Sequence, residues 1–596
     1  MRKMSFKVPD KASMSLVSMI RRRAKRLRPT AAARAAGFQG QDPHVVHRDD
    51  TVGLLLESPD PDRVLSELPR LQADETVEQL SEEILSAQAS LDTVNALLKM
   101  PQVTRLQSKK YSALHLTAAL PDVGVQPAGG GTRQVAETGK GVLIGIIDSG
   151  FDLSHPMFRD KAKKLRVAGL LDQLDKHREF TTAQLEASWA AGTGPGADQH
   201  GHGTHVASIA GGSPFNGWEG IAPEARFLLV RTDFLNTANA VQWIFNTAKN
   251  TPCVINMSLG HHWGAHDGTD VEERLHRTLI RPGRLIVVSA GNERNDNIHI
   301  GGRFSLGQTE TVTFDVLRQR DGSAPFAALT LWYDRQDAFD ITLLTPTGQP
   351  LTTPALGTTD QYETSSLDLE IGRKSYSWSN LIQTQIVLSF SHPTVTNKVL
   401  RNWQLRLTCR KAVVGRLDGW VNNSDLAEFR AHPLVEQSRT VGLTATGDGC
   451  LAVASHVSKS AWPSDAGPEQ DLHVQLGRSS PFSSQGPTRD GRLKPEISAP
   501  GQYVTAALAD QSELAGVDER ALVNERLLTM EGTSMAAPVV AGVIALLLQK
   551  KRHLTVARVR EILQASARHD AHTGLAPWNP AYGYGKLDIG AALAQT

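Results

Sequence analysis

Cysteine is scarce in this chain: Cys253, Cys409 and Cys450 are the only three in 596 residues. A set that is odd and widely spaced excludes a disulfide scaffold and a CxxC-type zinc site. An excess of charge of one sign is also missing, since 63 Lys plus Arg stand against 62 Asp plus Glu. A net charge of +1 supplies no global field for nucleic acid. No window approaches the roughly 18 uninterrupted apolar residues of a membrane-spanning helix. The N-terminus lacks a secretory apolar region: residues 14–20 are a short stretch that carries serines and precedes Arg21, Arg22 and Arg23, the reverse of an export signal. These absences predict a cytoplasmic protein whose thiols are free.

What is present describes a protein able to bury large cores, with 40% hydrophobic and 21% charged residues. At roughly 150 residues per domain, the length suggests about four units. Residues 1–45 are crowded with Lys and Arg and read as a basic, flexible segment; a patch for an anionic surface and an organelle-targeting peptide remain as alternatives. Residues 46–121 read as a small α/β unit, with strands at 51–57, 84–89 and 103–107 and helices at 62–68 and 91–100. The second helix is capped by Ser90 or Asp92 and followed by Pro101. From 132 to 301 and again from 441 to 596, buried strand runs at 142–147, 226–230, 253–257 and 285–289 alternate with helices at 204–210, 238–249 and 535–550. That alternation predicts a doubly wound parallel sheet. Between 302 and 440, short segments of period two separated by turn signals predict an inserted β-sandwich or jelly roll.

Open α/β sheets place their chemistry at the carboxyl ends of strands and at helix starts. Three residues meet that condition: Asp148 ends a buried strand run, and His202 and Ser534 each stand where a helix opens. A carboxylate, an imidazole and a hydroxyl are the parts that make a serine nucleophilic near neutral pH. Alone, Asp148 reads as a turn or cap residue and Ser534 as an N-cap. Their local sequences carry them further.

IleAspSerGly at 147–150, HisGlyThrHisValAla at 202–207 and GlyThrSerMetAlaAlaPro at 532–538 resemble the three active-site blocks of the subtilisin-like serine proteases, the subtilases. Asn256 to Gly260, Ser289 to Asn292, Phe482 to Gly501 and Gly583 to Asp588 resemble further blocks of that family, over about 132–300 and 440–596. The resemblance implies Ser534 as nucleophile, His202 as general base and then acid, Asp148 as the orienting carboxylate and Asn292 as an oxyanion-hole donor. It also implies that substrate lies along Ser258, Leu259 and Gly260 as an added strand. Ser289, Ala290 and Gly291 would then wall the pocket for the residue before the scissile bond. Neither segment carries charge, so an apolar or broad preference is expected.

His261, His262 and Trp263 after Gly260 depart from the family pattern, and would narrow or recolour the groove. His200, His202 and His205 lack a placed carboxylate or cysteine partner, so no metal is assigned to them. The resemblance implies that catalysis requires no cofactor. Calcium sites are common in the family, but no acidic loop here is specific enough to hold one.

Residues 51–121 resemble the family's propeptide, which caps the active site. The resemblance implies that 109–120 cross the groove as a product-like strand, with self-cleavage between Tyr111 and Val125; a permanently attached cap is the alternative. The expected activity is that of a restrained serine endopeptidase acting on proteins or peptides, with its own N-terminal domain as inhibitor. A peptide-processing transferase or macrocyclase using the same acyl-enzyme and a non-catalytic scaffold remain open. The β insert, which shows no paired carboxylates or metal cluster, is read as a structural or docking module.

Overall fold

The computed structural model describes residues 2–7, 9, 11–14, 16–17, 51–68, 71, 75–110, 113–114, 133, 135–319 and 322–596. Its centre is an eight-stranded sheet. The strands lie in the order Ile497–Gln502, Leu451–Val457, Arg284–Ser289, Cys253–Met257, Leu143–Asp148, Arg226–Arg231, Val167–Asp172 and Arg178–Thr181. All neighbours are parallel except the last pair. Every residue of Leu143–Asp148 is buried, as a sheet covered on both faces requires. The pleat sends its residues to different cores. Ile144 and Ile146 join Val206, Ile209 and Val540 on one face, while Leu143 and Ile147 join Val241 and Ile244 on the other. This is the doubly wound sheet expected from the sequence. The helix Thr533–Lys550 is apolar all round and nearly all buried, so it serves as the core helix.

Two elements begin earlier than their apolar runs suggest. The first helix starts at His202 and the second at Thr533, so His202 and Ser534 lie inside their helices and not ahead of them.

The N-terminal unit is a four-stranded antiparallel sheet in the order Thr76–Gln79, Ile84–Ala89, Val52–Glu57, Arg105–Ser108, with helices Pro61–Glu67 and Leu91–Lys99. Ser90 caps the second helix, accepting from Thr93 N–H at 3.3 Å. Alternation again decides the packing. Leu54 and Leu56 join the unit's own core with Val94 and Leu97, whereas Leu55 turns outward with Ile84 onto Ala238, Val271 and Leu275 of the unit built on the eight-stranded sheet. Around that contact lie charged and polar pairs. Lys110 Nζ pairs with Asp270 Oδ2, Arg274 Nη1 donates to Glu57 Oε2 at 2.9 Å, and Lys109 Nζ donates to Asn239 Oδ1 at 3.0 Å.

The insert is a β-sandwich. Its five-stranded sheet runs Pro350–Thr352, Ala338–Leu344, Trp403–Lys411, Thr309–Val316, Ala427–Phe429. Ile341, Leu343 and Leu405 from that sheet share a core with Leu329, Ile386 and Leu388 of a seven-stranded one. The larger sheet reads Arg2–Lys7, Thr358–Glu363, Leu367–Ser375, Leu381–Phe390, Phe326–Asp334, Arg416–Val421, His299–Arg303. Two features differ from the sequence reading. The sandwich begins at His299, ahead of the expected 302. Residues 2–7, read as part of a flexible basic segment, are a strand on its edge. Residues 18–50 of that segment lie outside the described residues.

Candidate active site

Asp148 stands at the carboxyl end of its strand with its Oδ1 2.6 Å from His202 Nδ1, and accepts from Ser149 N–H at 2.8 Å. Both side chains are fully buried. A carboxylate held against Nδ1 fixes the tautomer that carries its proton there, and leaves Nε2 as the basic nitrogen. Helix and strand approach this closely because residue 203 is glycine. A Cβ there would lie 2.3 Å from Gly150 O and 3.0 Å from Asp148 Cβ. A second fastening comes from Asp198. Its carboxylate accepts from Ser149 Oγ at 2.8 Å, Gly201 N–H at 2.8 Å, Thr204 N–H at 2.9 Å and Thr204 Oγ at 2.7 Å. It therefore ties the residue after Asp148 to the turn that opens the His202 helix. Burial pushes the Asp198 carboxyl above its ordinary value, and these donors work against that shift.

Ser534 is the second residue of its helix and is fully buried. The helical partner of its carbonyl would be the N–H of residue 538, which is proline and has none. Ser258 fills the gap: its Oγ donates to Ser534 O at 2.7 Å, and Ser534 Oγ donates to Ser258 O at 3.0 Å. Asn256 Nδ2 in turn donates to Ser258 Oγ at 2.9 Å. The nucleophile candidate is thus locked to the first residue of the expected substrate edge.

Asn292 is joined to the same helix through Thr533. Its Oδ1 accepts from Thr533 N–H and from Thr533 Oγ, both at 2.9 Å. With its oxygen occupied by two donors, the amide has one orientation, and its NH2 is left as the donor. Thr533 Oγ also accepts from Gly291 N–H at 3.2 Å. Sequence reasoning missed both Thr533 and Asp198: Thr533 acts through Asn292, 241 residues away, and Asp198 lies outside the quoted motifs and reaches Ser149 across 49 residues.

The remaining expected residues fall around this centre. Ser289, Ala290 and Gly291 are buried. Ala290 spends its main chain on Val453 O and Gly442 N–H, both at 2.9 Å, so these residues can offer a wall but no free strand edge at Ala290. Leu259–Gly260 is already paired, antiparallel, with Ala113–Leu114 of the N-terminal region. His261, His262 and Trp263 are buried. Trp263 packs with Phe326, Val387 and Leu426 of the insert, and His262 N–H donates to Asn422 O at 3.2 Å. His205 is a core histidine, its Nε2 2.9 Å from Leu528 O and its pKa pushed down to about 3 by burial. Among the described residues, no group of three or more His, Cys, Asp or Glu is disposed to hold a metal ion.

The model of the subtilase family matches residues 139–585. The C5a peptidase of Streptococcus pyogenes serotype M1 is 26% identical over 450 residues, which cover 70% of this chain and 35% of that protein. The chain thus spans about a third of the length of the first curated relatives it matches. Serine protease AprX of Bacillus subtilis strain 168 is 41% identical over 83 residues, 14% of this chain and 19% of that protein. The solved structure of the Clostridium perfringens CspB protease is similar in fold, with a TM-score of 0.63 at 23% identity over 77% of this chain and 93% of that one.

Proposed function

Because the chain belongs to the subtilase family, we propose that it is a serine endopeptidase acting through an acyl-enzyme on Ser534, restrained by its N-terminal unit. The observation that carries the reading is the buried Asp148–His202 pair beside a helix whose second residue is Ser534 and whose first, Thr533, is tied to Asn292. As Ser534 Oγ attacks the scissile carbonyl, His202 Nε2 takes its proton, and Asp148 stabilises the imidazolium that forms. The tetrahedral oxyanion accepts hydrogen bonds from the Asn292 NH2 and the Ser534 N–H, aided by the positive end of the helix. The imidazolium then protonates the leaving amine. Water repeats the sequence on the ester and regenerates Ser534.

The restraint rests on three features. Ser534, His202 and Asp148 are all fully buried, Ala113–Leu114 occupies the strand edge Leu259–Gly260, and the cap docks through Leu55 and the Lys110–Asp270 pair. Substrate would take the same edge by strand addition, so cap and substrate compete for it. The test compares intact masses of wild type and Ser534→Ala, prepared identically, with a fluorophosphonate label as a second readout. Loss of roughly the first 110–125 residues from wild type alone, with the label on Ser534, supports the proposal. A wild type that neither self-cleaves nor takes the label under any condition that releases the cap overturns it.

A further inference from the structure

The described residues among the first seventeen, 2–7, 9, 11–14 and 16–17, include contacts to both the cap and the insert, and the insert is shaped to receive them. Arg2–Lys7 extends the seven-stranded sheet, paired antiparallel with Thr358–Glu363 from Arg2↔Glu363 to Lys7↔Thr358. Without it, Thr358–Glu363 would present a row of unpaired main-chain groups. The next strand supplies a cradle. Lys374 is buried, and its ammonium donates to the carbonyls of Pro9 and Ala12. The buried Tyr376 hydroxyl accepts from Met14 N–H at 3.3 Å. Gly372 leaves a notch: a Cβ there would fall 2.1 Å from Met14 Cε, and Met14 is buried in that space.

The same segment is also built into the cap. Ser13 N–H donates to Leu106 O at 2.9 Å, Leu106 N–H donates to Lys11 O at 2.8 Å, and Ala12, Leu16 and Val17 join the core around Leu54 and Val94. Arg105, on the cap's edge strand, places its guanidinium 4.4 Å from the ring centroid of Trp378 in the insert.

We infer that the inserted sandwich is a docking module whose partner is this chain's own N-terminal segment, and that it holds the cap in place after the backbone between cap and catalytic unit is cut. The sandwich is continuous with the catalytic chain through His299–Arg303, so a severed cap would remain bound at two places on one body. Two linked contacts convert the second binding event into an intramolecular one, which raises retention by about 10²- to 10⁴-fold over either alone. The role given to the cap rests on the function proposed above; the contact between segment and insert does not.

The experiment uses the full chain with Ser534→Ala and a recognition site for a site-specific protease placed within residues 128–131. After cutting, dissociation of the N-terminal fragment is measured for the parent, for a deletion of residues 2–7 and for Lys374→Met, with thermal melting to verify that each variant is folded. The expected result is a parent fragment that stays bound through gel filtration, a Kd raised about 10²-fold or more by the deletion, and an intermediate rise for Lys374→Met. Hydrogen exchange at Thr358–Glu363 should rise in the deletion. Retention unchanged in both variants, or a parent fragment that leaves as readily as the deleted one, overturns the inference. Since Ser534 is absent throughout, a failure of the catalytic proposal leaves this result readable.

Discussion

Replacing Thr533 by valine deletes one hydroxyl and tests how Asn292 is aimed. The hydroxyl provides one of two hydrogen bonds to Asn292 Oδ1, the other coming from Thr533 N–H, and both measure 2.9 Å. A neutral hydrogen bond is worth about 0.5–1.5 kcal/mol net. If that energy serves to hold the amide NH2 toward the oxyanion, its loss appears in the transition state alone, as a fall in kcat of about 2- to 13-fold with little change in KM. Gly291 N–H also loses its acceptor, so melting temperature should fall. Thr533→Ser keeps the hydroxyl and should restore both. Asn292→Asp is the sharper partner, since it can still accept both Thr533 bonds but no longer donates. Its kcat should fall about 10²- to 10³-fold, a magnitude carried over from a member of this family. The assay is steady-state cleavage of a chromogenic peptide, with active sites counted by fluorophosphonate labelling. A Thr533→Val enzyme with wild-type kcat and raised KM, or an Asn292→Asp enzyme near wild type, would refute the reasoning.

Other outcomes follow from neighbouring contacts. Gly203→Ala places a methyl 2.3 Å from Gly150 O, so it should part His202 from Asp148 and cut kcat by at least about 10²-fold, as expected when reacting groups are displaced by about 1 Å; near-normal kcat would show that the helix can yield. Asp198→Asn leaves one acceptor oxygen for four donors and should lower stability by about 2–3 kcal/mol, read by denaturant unfolding; an unchanged midpoint contradicts the fastening role. Burial pushes His155 and His276 down to about 4 and His205 and His261 to about 3, so below the ordinary histidine value the unfolded chain takes up more protons than the folded one. Melting temperature should therefore fall as pH drops from about 6.5 to 4. Glu272 and Glu273, pushed up to about 7 by burial, run the other way, since the folded state holds their protons as pH falls from about 7 to 4.3. The doubly substituted Glu272→Gln, Glu273→Gln protein should show the steeper acid loss, and parallel profiles would contradict this assignment.

The candidate residues Asp148, His202 and Ser534 could be picked out because each sits in a short contiguous block whose residues do local work. Gly203 admits the helix to the strand end, and Pro538 frees the Ser534 carbonyl for Ser258. The parallel strands were legible because burial on both faces writes a continuous apolar run, as in Leu143–Asp148. The helix starts were misplaced by two residues because polar residues in the first turn, His202 and Thr533, dilute the apolar pattern by which a helix is read. Thr358–Glu363 was missed for a different reason. ThrThrAspGlnTyrGlu has neither period nor apolar content, yet its four central residues are buried, because strands on both sides cover them.

That last case explains why the insert could be seen while its role could not. An edge strand is defined by what pairs with it, and its partner, Arg2–Lys7, lies more than three hundred residues away in a stretch dominated by cationic side chains. The same separation hides Lys374, which in sequence is an ordinary strand lysine and in the fold is a buried ammonium facing the carbonyls of Pro9 and Ala12. A buried cation needs acceptors wherever the chain can bring them, so its position marks where the N-terminal segment must lie. From there the physical order is continuous. The segment holds the cap, the cap pairs Ala113–Leu114 with Leu259–Gly260, and the residues that follow Gly260 anchor in the insert through Trp263. Groove, cap and insert therefore close on one another, and a change at any of the three contacts should be felt at the Leu259–Gly260 edge, the one proposed for substrate.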